Sequence, residues 1–163
     1  MELIIFIGLQ ASGKSTFFHT HFAATHEYVS KDLLRNNKRP NPRQMQLIES
    51  AFEAGHSVVV DNTNPTVEAR KPLIDLGKMY GARIIGYYFE SQVSICIKRN
   101  KQREGMARVP DVAIYATARK LVPPTYAEGF DELYHVRIAN NSGFEVQERS
   151  ASSVTSDGSA NQD

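Results

Sequence analysis

The chain has 163 residues, 41% of them hydrophobic, a net charge of +1 and one cysteine. This length fits one domain with a full core, a single cysteine excludes an internal disulfide, and the balanced charge does not by itself predict a polyanionic partner. No apolar run approaches the roughly 20 residues of a membrane span, and no basic lead-in marks a signal peptide, so we expect a cytoplasmic protein without membrane contact.

Strands and helices are predicted to alternate along the chain. β-Branched and aromatic runs predict five strands, at 2–8, 27–30, 56–62, 82–90 and 133–138. Helical patterns lie between them, at 14–24, 41–55, 66–81, 92–103 and 110–122, with Asn41 as an N-cap and Gly55 and Gly81 as C-terminal stops. Apolar strands that alternate with helices are typical of a parallel sheet covered on both faces. The sequence therefore predicts an α/β three-layer sandwich with a mostly parallel, five-stranded sheet.

The end of the chain differs from the rest in composition. From Glu148 onward the residues are polar, rich in serine and free of aromatic side chains. Such a segment buries too little apolar surface to offset the entropy of ordering. We therefore expect one domain over residues 1–147 and a disordered tail over residues 148–163.

The segment GLQASGKST, residues 8–16, joins the first predicted strand to the first predicted helix. It matches G-x-x-x-x-G-K-[ST], the phosphate-binding loop of NTPases, in the context that this motif requires. Backbone N–H groups of such a loop face phosphate oxygens, the lysine reaches the β- and γ-phosphates, and the serine hydroxyl binds Mg²⁺. We therefore expect ATP and Mg²⁺ as cofactors, with the metal on Ser15 and ATP on Gly8, Ala11, Ser12, Gly13, Lys14, Ser15 and Thr16.

A second acidic element, VVVDNTN, ends the third predicted strand at Asp61. A carboxylate at this place suits a role near Mg²⁺ or at the acceptor, and Asp61 could equally cap the helix that follows. The chain lacks the N-K-x-D sequence that reads guanine. This absence argues against a GTPase and leaves an ATPase or a kinase.

Two further segments bring charged residues near the expected phosphate site. In VSKDLLR, Asp32 can accept a proton from an acceptor hydroxyl and Arg35 can hold an acceptor phosphate, although Asp32 would also suit the first turn of a helix. In KRNKQREGMAR, Arg103 lies beside a glycine-containing stretch between two helices, a candidate for a short helical lid over the donor phosphates. A carboxylate base with a basic lid favours a kinase over an ATPase.

Positive charge is concentrated in these same two segments. Residues 31–43 and 98–108 each carry a net charge of +4, and the other 139 residues carry −7. Segments of this kind can line an acceptor channel for a nucleic acid, or they can be solvated helix faces.

These motifs together resemble a known family. The runs GLQASGKST, VSKDLLR, VVVDNTNPTVEAR, IKRNKQR and PPTYAEGFDEL resemble the kinase domain of polynucleotide 5′-kinases, a group of small P-loop kinases. The resemblance implies a kinase that transfers the γ-phosphoryl group of ATP to the 5′-hydroxyl end of a nucleic acid. It implies that Asp32 is the general base, that Arg35 binds the acceptor phosphate, and that Arg103 of the lid acts in catalysis with Lys14.

The DNTNPTVEAR part of the resemblance concerns the acceptor. It implies that Asp61 lies on the acceptor side, and we assign Asn64 and Arg70 of the same motif to acceptor binding. Related small P-loop kinases act on nucleosides and sugars, so a small-molecule kinase stays open as an alternative. A nucleotide-binding module that signals to a partner is a further alternative. The sequence leaves the choice of DNA or RNA and the oligomeric state undetermined.

Overall fold

A six-stranded sheet forms the centre of the protein in a computed structural model that describes residues 1–139 and 143–150. The strands lie in the order β2-β3-β1-β4-β5-β6, and all neighbours are parallel except β5 and β6. Their bounds are β1 Glu2–Gly8, β2 Glu27–Val29, β3 Val58–Asp61, β4 Arg83–Phe89, β5 Glu132–Ile138 and β6 Phe144–Arg149. The carboxyl ends of the first four strands therefore meet along one edge of the sheet.

Five α-helices connect the strands of the described chain. They are α1 Lys14–His21, α2 Pro40–Glu53, α3 Val67–Met79, α4 Val93–Lys101 and α5 Asp111–Lys120. Short 3₁₀ helices lie at Lys31–Leu34, Gly105–Ala107 and Tyr126–Glu128. We call the part from α4 through Gly105–Ala107 to α5 the α4–α5 segment.

The start of α2 differs from the prediction. Arg39, and not Asn41, is the N-cap, and the helix begins at Pro40. A proline in the first turn needs no N–H partner and already has a helical φ, so Pro40 starts the helix two residues before Pro42, the first helical residue that a cap at Asn41 would give.

The core lies on both faces of the sheet because successive side chains of β1 point to opposite sides. Leu3 and Ile5 belong to the cluster that includes Ile74 of α3. Phe6 faces the other way and packs against Phe17 of α1, with ring centroids 5.9 Å apart. The α/β three-layer sandwich with a mostly parallel sheet is thus confirmed.

The sheet contains one strand more than the five predicted. β6 pairs antiparallel with β5, and its register places Glu148 opposite Tyr134 and Arg149 opposite Leu133. The first two residues assigned to the disordered tail are therefore part of the sheet, which moves the end of the domain beyond residue 147. Residues 151–163 of that tail lie outside the described residues. Within the described ranges, no helix is long and apolar enough to cross a membrane.

Candidate active site

The phosphate-binding loop leaves the central strand β1 and enters α1, as predicted. Gly8 lies so close to β4 that an added Cβ would be 2.9 Å from Cβ of Phe89. Gly13, the N-cap of α1, has a φ of 95°, and Ala11 also has a positive φ, of 62°. Left-handed residues of this kind turn successive N–H groups toward one point, which makes an anion-binding concavity.

Lys14 is folded into this loop. Its side chain is 8% exposed, and Nζ donates hydrogen bonds to the carbonyl oxygens of Leu9, at 2.6 Å, and Gly8, at 3.0 Å. Burial lowers the pKa of Lys14 to about 8, although the carboxylate of Asp61 opposes this shift. The ammonium group is therefore positioned by the loop backbone in advance of any phosphate.

Asp61 ends β3 and is the centre of a cluster with two hydroxyl groups. Its Oδ2 accepts a hydrogen bond from Ser15 Oγ at 2.8 Å and another from the Tyr28 hydroxyl at 2.6 Å. Burial, and then the Asp61 carboxylate, raise the pKa of Tyr28 to about 12. A hydroxyl and a carboxylate are the oxygen ligands that Mg²⁺ prefers, so Ser15, with Asp61 behind it, fits a magnesium site.

Tyr28 was not predicted from the sequence as a site residue. It lies in the middle of the three-residue strand β2, opposite Val59 of β3. It comes seven residues after His21, the last residue of α1, and belongs to no sequence motif. The only sequence signal was its place in a strand that ends at the predicted phosphate edge.

A cavity of about 290 Å³ adjoins the phosphate-binding loop. Side chains from four separate parts of the chain meet around it. It brings together most of the predicted site residues, namely Ala11, Lys14, Ser15, Asp32, Arg35, Asp61, Asn64 and Arg103.

Asp32 and Arg35 enter this cavity from the 3₁₀ helix Lys31–Leu34 and the residue that follows it. Ser30 caps that helix by accepting a hydrogen bond from the backbone N–H of Asp32, so the Asp32 carboxylate is not used as a cap. The Asp32 side chain is 79% exposed and lies 3.4 Å from Nη2 of Arg35. Nη1 of Arg35 donates to the carbonyl oxygen of Met106 in the α4–α5 segment. The carboxylate is thus accessible to an incoming hydroxyl group, with a cation beside it.

Arg103 lies between this cavity and a second one. Its Nη1 donates to the carbonyl oxygen of Ala107 at 3.3 Å. The second cavity, of about 230 Å³, is bounded by Gly13, Arg99 and Arg103, and by Phe144 of β6. The loop therefore adjoins two cavities, and Arg103 lines both.

Arg70 and Asn64 are held in protein contacts. Arg70 is completely buried, and its Nε and Nη2 donate to both carboxylate oxygens of Glu128, at 2.7 and 3.1 Å. Its Nη1 donates to the carbonyl oxygens of Asn64 and Val122, each at 3.0 Å. The assignment of Arg70 to acceptor binding was wrong, because every guanidinium nitrogen is engaged inside the protein. Nδ2 of Asn64 donates to the carbonyl oxygen of Phe6, so its amide fixes the loop after β3.

Comparison with known proteins identifies the family. Residues 3–124 match the family described as an AAA domain. The chain belongs to this family. A bifunctional polynucleotide phosphatase/kinase of Schizosaccharomyces pombe is 29% identical over 142 residues, which are 83% of this chain and 33% of that protein. The chain thus spans about a third of the length of this relative. These findings confirm a P-loop kinase domain similar to polynucleotide kinases.

Solved structures agree with this AAA domain assignment at the level of the fold. A gluconokinase from Sinorhizobium meliloti has a TM-score of 0.59 at 18% identity, over 85% of this chain and 83% of its own. A fungal RNA kinase has a TM-score of 0.62 at 14% identity, over 83% of this chain and 38% of its own. These neighbours therefore support the fold of the chain.

Proposed function

We propose that the protein is an ATP- and Mg²⁺-dependent kinase that transfers the γ-phosphoryl group of ATP to the 5′-hydroxyl end of a polynucleotide. One observation carries the proposal. An exposed carboxylate, Asp32, and a neighbouring cation, Arg35, share a cavity with the phosphate-binding loop.

The donor occupies the loop and the second cavity. The loop N–H groups and Lys14 hold the phosphates of ATP, and the nucleoside extends toward Arg99 and Phe144. Ser15, with Asp61 behind it, would hold Mg²⁺, which neutralises charge on the phosphates. Arg103 reaches both cavities and stabilises the charge that develops on the transferred group.

The acceptor occupies the first cavity. The 5′-hydroxyl oxygen attacks the γ-phosphorus, the bond from that phosphorus to the bridging oxygen breaks, and ADP leaves. Asp32 accepts the hydroxyl proton, a role for which an exposed carboxylate within reach of the acceptor is suited. Arg35 holds the phosphate next to the reacting sugar, and the net charge of +4 over residues 31–43 attracts the rest of the strand.

A small-molecule kinase is the second candidate. It is favoured by the similarity to a gluconokinase over 85% of this chain, and a cavity of about 290 Å³ has room for a sugar. In that case the basic residues 31–43 would be surface charge.

Transfer from γ-labelled ATP to four acceptors separates these candidates. The acceptors are a 5′-hydroxyl oligonucleotide, the same oligonucleotide with a 5′-phosphate, a nucleoside and gluconate. We expect most label on the 5′-hydroxyl oligonucleotide, at least about tenfold less on the nucleoside, and none on the 5′-phosphorylated oligonucleotide or gluconate. Folded Lys14→Ala protein should label no acceptor. Equal or faster transfer to the nucleoside or gluconate would favour the small-molecule kinase, and nucleotide binding with no transfer would favour a binding module.

A further inference from the structure

The Tyr28 hydroxyl has no role in the reaction described above. It donates to Asp61 Oδ2 at 2.6 Å, the same oxygen that accepts from Ser15 Oγ at 2.8 Å, and the two hydroxyl oxygens are 3.4 Å apart. We propose that Tyr28 is a positioning residue for the magnesium site. Its hydroxyl fixes the Asp61 carboxylate, and the carboxylate in turn orients the Ser15 hydroxyl for the metal.

The hydrogen-bonding capacity of serine limits where the proton and the lone pairs of Ser15 can point. A serine hydroxyl has one proton and two acceptor lone pairs. In this cluster the Ser15 proton is directed at Asp61, so the lone pairs of Ser15 point away from the carboxylate and are available to a cation. The orientation of Ser15 therefore depends on where Asp61 Oδ2 lies.

Two features fix that oxygen. Asp61 is 5% exposed and its backbone pairs with Phe6 of the central strand, which sets the root of its side chain. The Tyr28 hydroxyl then sets the rotation of the carboxylate, because the Tyr28 ring is itself packed against Phe18 at a centroid distance of 4.5 Å. Partners that hold a metal ligand in this way commonly contribute 10- to 100-fold in metal affinity.

The Tyr28→Phe variant isolates the hydroxyl because it keeps the ring and its packing. Tyr80→Phe is the matched control. The Tyr80 hydroxyl also donates to carboxylates, those of Glu49 and Glu53 at 3.5 and 3.4 Å, but Tyr80 does not line either cavity. Each variant thus loses one tyrosine hydroxyl that faces a carboxylate, and only one of the two lies at the proposed metal site.

The inference rests on the nucleotide site of the proposed function and not on the acceptor. Calorimetry measures the Kd of ADP in EDTA and in saturating Mg²⁺ for wild type and both variants. We expect Tyr28→Phe to leave the Kd in EDTA within about twofold and to raise the Kd in Mg²⁺ about tenfold. Tyr80→Phe should change neither value.

The same measurement in an Asp61→Asn background tests whether Tyr28 acts through Asp61. There, Tyr28→Phe should change the Kd in Mg²⁺ less than twofold. The inference is overturned if Tyr28→Phe weakens ADP equally with and without Mg²⁺, which is the result of a merely structural role, or if it weakens neither. Failure of the wild-type protein to bind ADP at all would overturn the proposed nucleotide site instead.

Discussion

The two sides of the 290 Å³ cavity differ in how firmly the protein holds its charged groups. On the side of the phosphate-binding loop, Lys14 and Asp61 are 8% and 5% exposed, and each has two close hydrogen-bond partners. On the opposite side, the Asp32 side chain is 79% exposed, and its contact with Arg35 is long, at 3.4 Å.

The loop side is therefore formed before a ligand binds, whereas the side of Asp32 and Arg35 must be completed by its ligand. Buried, hydrogen-bonded charges need little reorganisation when phosphate arrives. An exposed ion pair contributes about 0–1 kcal/mol to stability and leaves its side chains free to exchange partners. We therefore expect that substitutions on the acceptor side change turnover and acceptor binding, and leave nucleotide binding and folding intact.

Asp32→Asn gives the largest expected effect on the acceptor side. The amide keeps the size and polarity of the side chain but cannot accept the hydroxyl proton, so kcat should fall on the order of 10²- to 10⁴-fold. Calorimetry with ADP and thermal melting should give wild-type values. A collapse of ADP affinity would show that Asp32 belongs to the nucleotide site, and the comparison of the two sides would fail.

Arg70→Met tests a buried ion pair, that of Arg70 and Glu128, in contrast to the exposed pair of Asp32 and Arg35. It leaves the Glu128 carboxylate, whose side chain is 5% exposed, without its cation, so the free energy of unfolding should fall by about 3–5 kcal/mol. The control is Arg83→Met, which breaks the ion pair between Arg83 and Glu132, 2.9 Å long. Because the Arg83 side chain is 54% exposed, this variant should lower the free energy of unfolding by only about 0–1 kcal/mol. Urea unfolding measures both. Equal losses would contradict a structural role for Arg70.

The sequence predicted the elements whose residues are apolar and consecutive. Runs such as VVV at 58–60 are buried on both faces of the sheet. They can therefore be predicted as strands without knowing which strands lie beside them. β6 escaped prediction because four of its six residues are exposed and four are charged or polar. It is held as an edge strand by backbone pairing to β5, for example between Val136 and Val146, and such pairing leaves little trace in composition.

The site residues divide in a similar way. The phosphate-binding loop is local, so nine consecutive residues were sufficient to predict it. The sequence did not show that Arg70 lies outside the cavity, because its buried partner Glu128 is 58 positions away. Tyr28 was missed for the same reason, since Asp61 is 33 positions further on.

We propose that Arg35 binds the phosphate next to the reacting 5′-hydroxyl group of the acceptor. The most direct test compares kcat/KM for a nucleoside and for the same nucleoside with a 3′-phosphate, in wild type and in Arg35→Ala. A hydrogen bond to a charged group contributes about 1.5–3 kcal/mol, so wild type should prefer the phosphorylated acceptor by about tenfold or more. Arg35→Ala should lose this preference and retain the rate on the plain nucleoside within about twofold. Equal rates on both acceptors in wild type, unchanged in Arg35→Ala, would contradict the account.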